Sequence, residues 1–299
     1  MSNLEQRLLF INKIRTFFAQ NRFVAVDCPP IVDNPGMEPH IHPFEIQKKF
    51  LHTSPEFRMK EALSKTNLKA IYSLGYCFRK EPESPLHRPQ FLMLEWYRTD
   101  ASLFTLINDI SNLCNFLSDT EIKIEKLSMQ EIFKEFLNID ILNFLTKEKI
   151  QSLIKEYYPD LLPTNNTSLE WDDYFFLLFL NHVEPQLKKY PFLIIDDFPS
   201  PLSALAEISD IDKRVAKRFE FYINGVEIAN AFYELRDVTE QGYRFKKFHD
   251  RKLKEYNYSL PWPNRFLKNL EHLPQSVGIA LGVERLFGEI SLSKEIFWD

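Results

Sequence analysis

Residues 70–98 read AIYSLGYCFRKEPESPLHRPQFLMLEWYR, two runs of strand-forming residues, 70–81 and 90–98, on either side of a proline-containing loop. This arrangement predicts a long antiparallel hairpin. Side chains alternate between the faces of a strand, so Arg79 and Glu81 share one face and Glu95 and Tyr97 share one face of the partner strand. Glu95 stands between Leu94 and Trp96, where a carboxylate buried without a partner would cost several kcal/mol. Something must therefore be paired with it. An internal salt bridge, such as Arg79 to Glu95, and a site that meets a ligand both satisfy this requirement.

Working outward, the stretch Phe219 to Ile223, Asn224-Gly225, Val226 to Asn230 predicts a second hairpin, because Asn-Gly suits a two-residue type I′ turn. Ile223 then faces Val226 and Tyr222 faces Glu227, which makes Glu220 and Glu227 diagonal neighbours on one side. Such a pair is either a solvated face or a pair held by a cation, and Mg²⁺ binds through one or two carboxylates plus substrate phosphates. Strict alternation sends Asn230 and Glu234 to the opposite parity, so a bulge or bend after Ile228 is needed to gather them. Near the C-terminus, Gly278-Ile279-Ala280-Leu281-Gly282-Val283-Glu284-Arg285 alternates small residues along a strand that runs into a helix. Missing side chains let a backbone or a flat ligand approach, and Arg285 could then make a bidentate phosphate contact; close packing with a surface arginine fits equally.

Leu8, Leu9, Ile11, Ile14, Phe17 and Phe18 recur at helical spacing and predict an amphipathic helix ending before Asn21, followed by a short strand from Phe23 to Asp27. Thr53-Ser54-Pro55-Glu56 predicts a helix start with a hydroxyl cap, running to about Ser64. Residues 102–190 are mostly helical in periodicity, with a looser break from Pro163 to Ser168. A last strand, Ser276 to Leu281, precedes a helix from about Val283.

With 299 residues, 44% hydrophobic and 26% charged, the chain has ample material for a core. The net charge of −5 and the scattered lysines and arginines do not suit a long polyanion, so no stable nucleic-acid partner is expected. The N-terminus lacks the apolar core of a signal peptide, and every long apolar stretch is interrupted by charge; a cytoplasmic protein without a membrane partner is expected. Cys28, Cys77 and Cys114 stand far apart, which suggests neither disulfides nor a zinc site. None of the seven glycines precedes a lysine and no GxGxxG occurs, so a P-loop and a dinucleotide fingerprint are excluded.

Phe78-Arg79-x-Glu81, the loop with His87-x-Pro89, and Phe91-x-Met93-x-Glu95-x-Tyr97 together resemble motif 2 of class II aminoacyl-tRNA synthetases. Gly278-x-Ala280-x-Gly282-x-Glu284-Arg285 resembles their motif 3, and the first helix with the strand ending at Pro29 resembles motif 1. Thr53-Ser54-Pro55-Glu56-x-x-Met59-Lys60 and Glu227-Ile228-Ala229-Asn230-x-Phe232-x-Glu234-Leu235 look like the lysine-type subgroup. The resemblance spans residues 4 to 290 in the expected order. It implies an α+β class II catalytic fold, an antiparallel sheet flanked by helices, in one domain over 1–299 with residues 102–190 a mainly helical insertion. Because the motifs begin near residue 4, no N-terminal OB-fold is expected, a layout similar to the elongation factor P (R)-β-lysine ligase family. Ala280, where lysyl-tRNA synthetases usually have glycine, agrees with that branch.

The resemblance implies ATP and Mg²⁺ as cofactors, with Arg79 at the α-phosphate, Arg285 at the γ-phosphate and Glu220 and Glu227 on the metal. It implies Glu81, His87, Phe91 and Gly282 at the nucleotide, and Ser54, Glu56, Glu95, Tyr97, Asn230, Glu234 and Ala280 around the amino acid. Lysine or β-lysine, elongation factor P and a second copy of the chain are the implied partners. Two other readings accompany this one: a lysyl-tRNA synthetase fragment that charges tRNA, and a non-catalytic amino-acid sensor. The chain departs from the family's pattern at Arg88, Gln90, Ala231 and Glu284, where asparagine, glutamate, glycine and aspartate are usual.

Overall fold

The computed structural model describes residues 2–118, 121–164 and 169–297; most of the expected Pro163–Ser168 break, at 165–168, lies outside the described residues. The elements begin with α1 (Asn3–Gln20), β1 (Val24–Ala25), β2 (Ile31–Val32), β3 (Glu45–Ile46), β4 (Lys49–Leu51), α2 (Glu56–Lys65), β5 (Ala70–Phe78), β6 (Gln90–Thr99) and α3 (Leu103–Ser118). They continue with β7 (Glu125–Ser128), α4 (Met129–Leu137), α5 (Lys147–Tyr157), α6 (Trp171–Leu178), β8 (Phe192–Pro199), β9 (Val215–Ile223), β10 (Val226–Tyr233), α7 (Val238–Tyr256), α8 (Asn264–Leu270), β11 (Ser276–Gly282) and α9 (Val283–Ser291). The mixed composition, with mostly antiparallel strands and flanking helices, is the α+β class expected. Two compact units result, Met1–Ile122 with Tyr233–Asp299, and Lys123–Phe232.

In the first unit β6 pairs antiparallel with β5, from Ala70 opposite Arg98 to Phe78 opposite Gln90, and on its other edge with β11, from Ser276 opposite Thr99 to Gly282 opposite Met93. The predicted hairpin is thus present, and the short strand after α1 pairs parallel with β5. The two faces of β6 differ in character. Trp96 is fully buried against Phe18 of α1, ring centroids 5.4 Å apart, and donates its indole N–H to Asp109 of α3 at 3.2 Å. Glu95 and Tyr97 point the other way.

Arg7 and Glu284 tie α1 to α9. Both are buried, 2.9 Å apart, and the Glu284 carboxylate also accepts from the backbone N–H of Leu92 at 3.0 Å. At Glu284, where the family's usual aspartate is replaced, the longer side chain holds a structural ion pair.

The helix after Pro55 begins at Glu56, as expected, but without the hydroxyl cap: Thr53 instead donates to the carbonyl of Pro35 at 2.7 Å. Phe57 of α2 stacks on Phe266 of α8 at 4.0 Å, and Glu61 accepts from Arg265 at 2.6 Å, from Arg58 at 2.9 Å and from Lys65.

In the second unit β9 pairs with β10 and β8 antiparallel, and β7 pairs with β8 parallel. Asn224 and Gly225 both have positive φ, 49° and 81°, the backbone of the expected type I′ turn. The register shifts between Glu227 and Ala229, so the required bulge is present. The helical stretch expected over 102–190 comprises α3 to α6 and is interrupted by β7; Phe133, Phe175 and Phe179 stack at the centre of this unit's core.

Replacing Arg7 by Met should cost about 3–5 kcal/mol in urea unfolding, because Glu284 is left buried without its cation; a loss under about 1 kcal/mol contradicts the tie. Burial alone would raise the pKa of Glu61, but hydrogen bonds from Arg265, Lys65 and Arg58 overcome it and hold the carboxyl at about 2. A carboxyl held below its unfolded value of about 4.3 stabilises the fold above that pH and gives the stability up as pH falls toward 2. Thermal melts between these limits should fall more steeply for the native chain than for Glu61→Gln, and equal slopes would refute the assignment.

Candidate active site

Three groups of side chains account for the residues singled out by the sequence. The first lies around the loop joining β5 and β6. Arg79 leaves the end of β5, donates from Nε to the carbonyl of Thr53 at 3.2 Å and lies 5.1 Å from the ring centre of Phe91. Its nearest carboxylate is Glu81, at 4.0 Å. The salt bridge to Glu95 that one reading required is not formed. His87 closes a tight turn with Ser84, their side chains 2.9 Å apart, and its other ring nitrogen lies 2.9 Å from the guanidinium of Arg285 in the first turn of α9. Arg285 also donates toward the carbonyl of Leu86 at 3.5 Å. Residues 198 positions apart in the chain are thereby brought together, and Gly282 supplies the strand-to-helix junction ahead of Arg285.

The second group is an acidic pocket on the other face of β6. Tyr97 donates its hydroxyl to Glu95 at 2.8 Å, the contact that the shared strand face allows. Glu95 lies opposite Ala280 and Tyr97 opposite Gly278, so the small residues of β11 face the two side chains. Gly278 leaves room that its neighbours use: a Cβ there would stand 2.2 Å from the Tyr97 ring and 2.4 Å from the Glu234 carboxylate. Glu56 enters from the first turn of α2, and between Glu56 and Glu234 lies the ammonium of Lys60, 2.6 Å from each. Burial pushes Glu95 well above the usual carboxylate range, and the charge of Glu56 adds to the effect. Burial also raises Glu234, against the pull of Lys60. Lys60 itself stays charged: burial disfavours its ammonium, but Glu234 and Glu56 more than compensate and its pKa rises.

Ser54 and Glu56 line a cleft of about 130 Å³ together with Glu38, His52, Trp262 and Phe266. Glu38 and Lys60 have no role in the sequence reading. Glu38 is a half-buried acid raised by desolvation and by the charge of Glu56. Its only sequence signal is a charge in a proline-rich turn, which is also what a surface loop looks like. Lys60 carries a clearer one, a position four residues after Glu56 on one helix face.

The third group lies in the second unit. The bulge at Ile228 changes parity, so Asn230 stands opposite Glu220 while Glu227 stands opposite Tyr222. Arg218, which the sequence reading passed over, bridges Glu220 at 2.5 Å and Asn230 at 3.0 Å, and Tyr222 donates to the second oxygen of Glu220 at 2.6 Å. Burial raises Glu220 to about 7, with Arg218 opposing and the charge of Glu227 reinforcing the shift. Glu220 accepts one hydrogen bond on each of its oxygens, and a carboxylate oxygen keeps a second lone pair, so Glu220 with Glu227 could hold a divalent cation such as Mg²⁺.

The class is now defined. Over residues 1–297 the chain matches the family described as tRNA synthetases class II (D, K and N), and it belongs to that family. Within it, the chain is similar to proteins named elongation factor P-(R)-beta-lysine ligase. That of Proteus mirabilis (strain HI4320) is 37% identical over 297 residues, 96% of this chain and 90% of the relative. That of Avibacterium paragallinarum is 37% identical over 300 residues, with 96% and 90% covered, and that of Haemophilus influenzae (strain PittGG) is 34% identical over 297 residues, also with 96% and 90% covered. The resemblance carried by the three motifs is borne out.

Gly278→Ala should overpack the pocket and lower the urea midpoint by the equivalent of about 1–3 kcal/mol, with a changed near-ultraviolet tyrosine signal as Tyr97 is displaced. A variant with native midpoint and spectrum would mean that the close approach is not there.

Proposed function

We propose that this chain is an ATP-dependent ligase that activates (R)-β-lysine, or lysine, as the aminoacyl-adenylate and transfers it to a lysine side chain of elongation factor P in the cytoplasm. The observation that carries this reading is the acidic pocket. Glu95 and Glu234 are buried carboxylates beside the small residues Ala280 and Gly278, Glu56 stands partly exposed on the other side of Lys60, and a substrate with two amines supplies the positive charge that such a group of acids needs. The names of the relatives point to the same substrate and acceptor. Among the described residues no helix is long and apolar enough to cross a membrane, which agrees with the proposed location.

In the first step a substrate carboxylate oxygen attacks the α-phosphorus of ATP, the bond to the β-phosphate oxygen breaks, and pyrophosphate leaves with its electron pair. Charge on the transferring phosphoryl group must be matched by fixed cations, so positioning and electrostatics carry the rate. Arg79 is proposed at the α-phosphate and Arg285 at the γ-phosphate, with Glu81, His87, Phe91 and Gly282 holding the nucleotide. Ser54, Tyr97, Asn230 and Ala280 complete the amino-acid side with the three acids. Glu220 and Glu227 would hold Mg²⁺, which when bound neutralises phosphate charge. In the second step a neutral ε-amine of elongation factor P attacks the acyl carbon, the mixed anhydride breaks, AMP leaves and the new amide nitrogen loses a proton. A homodimer through the motif 1 helix belongs to the same reading, and Leu4, Leu8 and Leu9 are exposed on α1.

ATP–pyrophosphate exchange should depend on lysine or β-lysine, and purified elongation factor P should gain the mass of one aminoacyl group. Arg79→Ala and Arg285→Ala should each lower exchange by about 10²-fold or more. No exchange with either isomer refutes the ligase reading, and aminoacylation of tRNA in place of elongation factor P would select the synthetase reading.

A further inference from the structure

Lys60 is a buried lysine inside a pocket proposed to bind an amino acid that carries the same ammonium. Its side chain is 3% exposed, and its Nζ lies 2.6 Å from Glu56 and 2.6 Å from Glu234. Phe266 lies beneath it, 5.8 Å from the ammonium to the ring centre. Glu95 is in a different state. Tyr97 fills one of its oxygens, whereas the other is buried with no hydrogen-bond partner among the described residues.

The inference rests on the activation of a diamino acid proposed above. We propose that Lys60 is a positioning residue: its ammonium occupies the gap between Glu56 and Glu234, so that the incoming amine is turned away from that gap and toward the open oxygen of Glu95. The physical reason is competition. Two carboxylates facing each other, one buried and one largely so, attract any alkylammonium, and a lysine substrate presents one that is chemically equivalent to that of Lys60. Lys60 is tethered, so it competes at an effective concentration that free substrate does not match. With the gap filled, Glu56 and Glu234 each have the Lys60 cation, and among the three acids Glu95 is the one whose second oxygen has neither an ion-pair nor a hydrogen-bond partner among the described residues. Without Lys60 the substrate amine can settle between Glu56 and Glu234, and its carboxylate is then drawn off the line of attack. Such a shift weakens chemistry, not binding.

The test is ATP–pyrophosphate exchange by the full chain carrying Lys60→Ala or Lys60→Arg, with folding checked by thermal melts. For Lys60→Ala the expected result is a fall in kcat of about 10²-fold, the effect of misplacing reacting atoms by about an ångström, with KM unchanged or lower. Added propylammonium should recover about tenfold of that loss by refilling the gap, whereas propanol, of like shape and without charge, should not. Lys60→Arg keeps the cation and should retain kcat within about threefold. A Lys60→Ala enzyme with native kcat and raised KM, equal recovery by propanol, or a folded Lys60→Arg enzyme as impaired as Lys60→Ala would each overturn the proposal. If neither variant folds, Lys60 is a folding residue and the proposal also fails. The unsubstituted chain run alongside separates the two readings: absence of exchange there removes the ligase function itself, while exchange there with any contrary result above removes only the role of Lys60.

Discussion

A carboxylate taken out of water must find a cation, a set of donors or a proton, and the first unit of this protein is organised around meeting that demand several times over. Glu284 is met by Arg7 and the Leu92 amide, Glu56 and Glu234 by Lys60, and Glu95 on one side by Tyr97. Arg7, Glu284 and the Leu92 amide thereby join α1, α9 and β6, and Lys60 joins α2 to the segment at Glu234, by charge as well as by packing. The register of β6 is the most constrained part. Trp96 and Glu95 are adjacent and face opposite ways, one among aromatic rings and one among acids. A slip of one residue would exchange them, setting a carboxylate against Phe18 and an indole against Glu234, and no neighbouring group could compensate.

Much of this was legible in the sequence because the signals are local. Asn224-Gly225 fixes a turn, a turn fixes a register, and register with alternation places Glu220, Glu227, Glu95 and Tyr97 on their faces. What was not legible depends on pairings between distant segments or on a parity change within one. The bulge at Ile228 leaves no composition signal, yet it alone brings Asn230 opposite Glu220. The partner of Glu284 is 277 residues away, so the sequence around this departure from the family pattern gives no sign of the structural tie it forms. Thr53 illustrates competition: its hydroxyl suits a helix cap, but the carbonyl of Pro35 takes it. The demand for a partner at Glu95 was correctly read, while the partner offered by the nearest arginine was not the one used.

The two kinds of arginine in the chain show how positive charge is kept for use or spent on structure. Arg7 and Arg98 lie 2.9 and 2.7 Å from Glu284 and Asp109 and each anchors an element to another, while Arg218 lies 2.5 Å from Glu220 on its own strand and reaches β10 through Asn230. Arg79 is oriented by a carbonyl oxygen and an aromatic ring, with Glu81 only at the outer limit of an ion pair. An imidazole and a carbonyl help to orient Arg285. The contacts of Arg79 hold its guanidinium in place with only a distant acid beside it, which suits the phosphate role proposed for it. The proposed amine site inverts the arrangement: Glu95 and Glu234 are almost wholly removed from solvent, Glu56 less so, and the internal cation is already in place. In the proposed function a charged nucleotide would meet half-exposed arginines, and a charged amine would meet enclosed acids that already hold one lysine among them. The difference follows from size. A triphosphate carries water and counter-ions to its site and suits an open loop, whereas an alkylammonium is small enough to be enclosed, and enclosure gives three carboxylates strong discrimination for its charge.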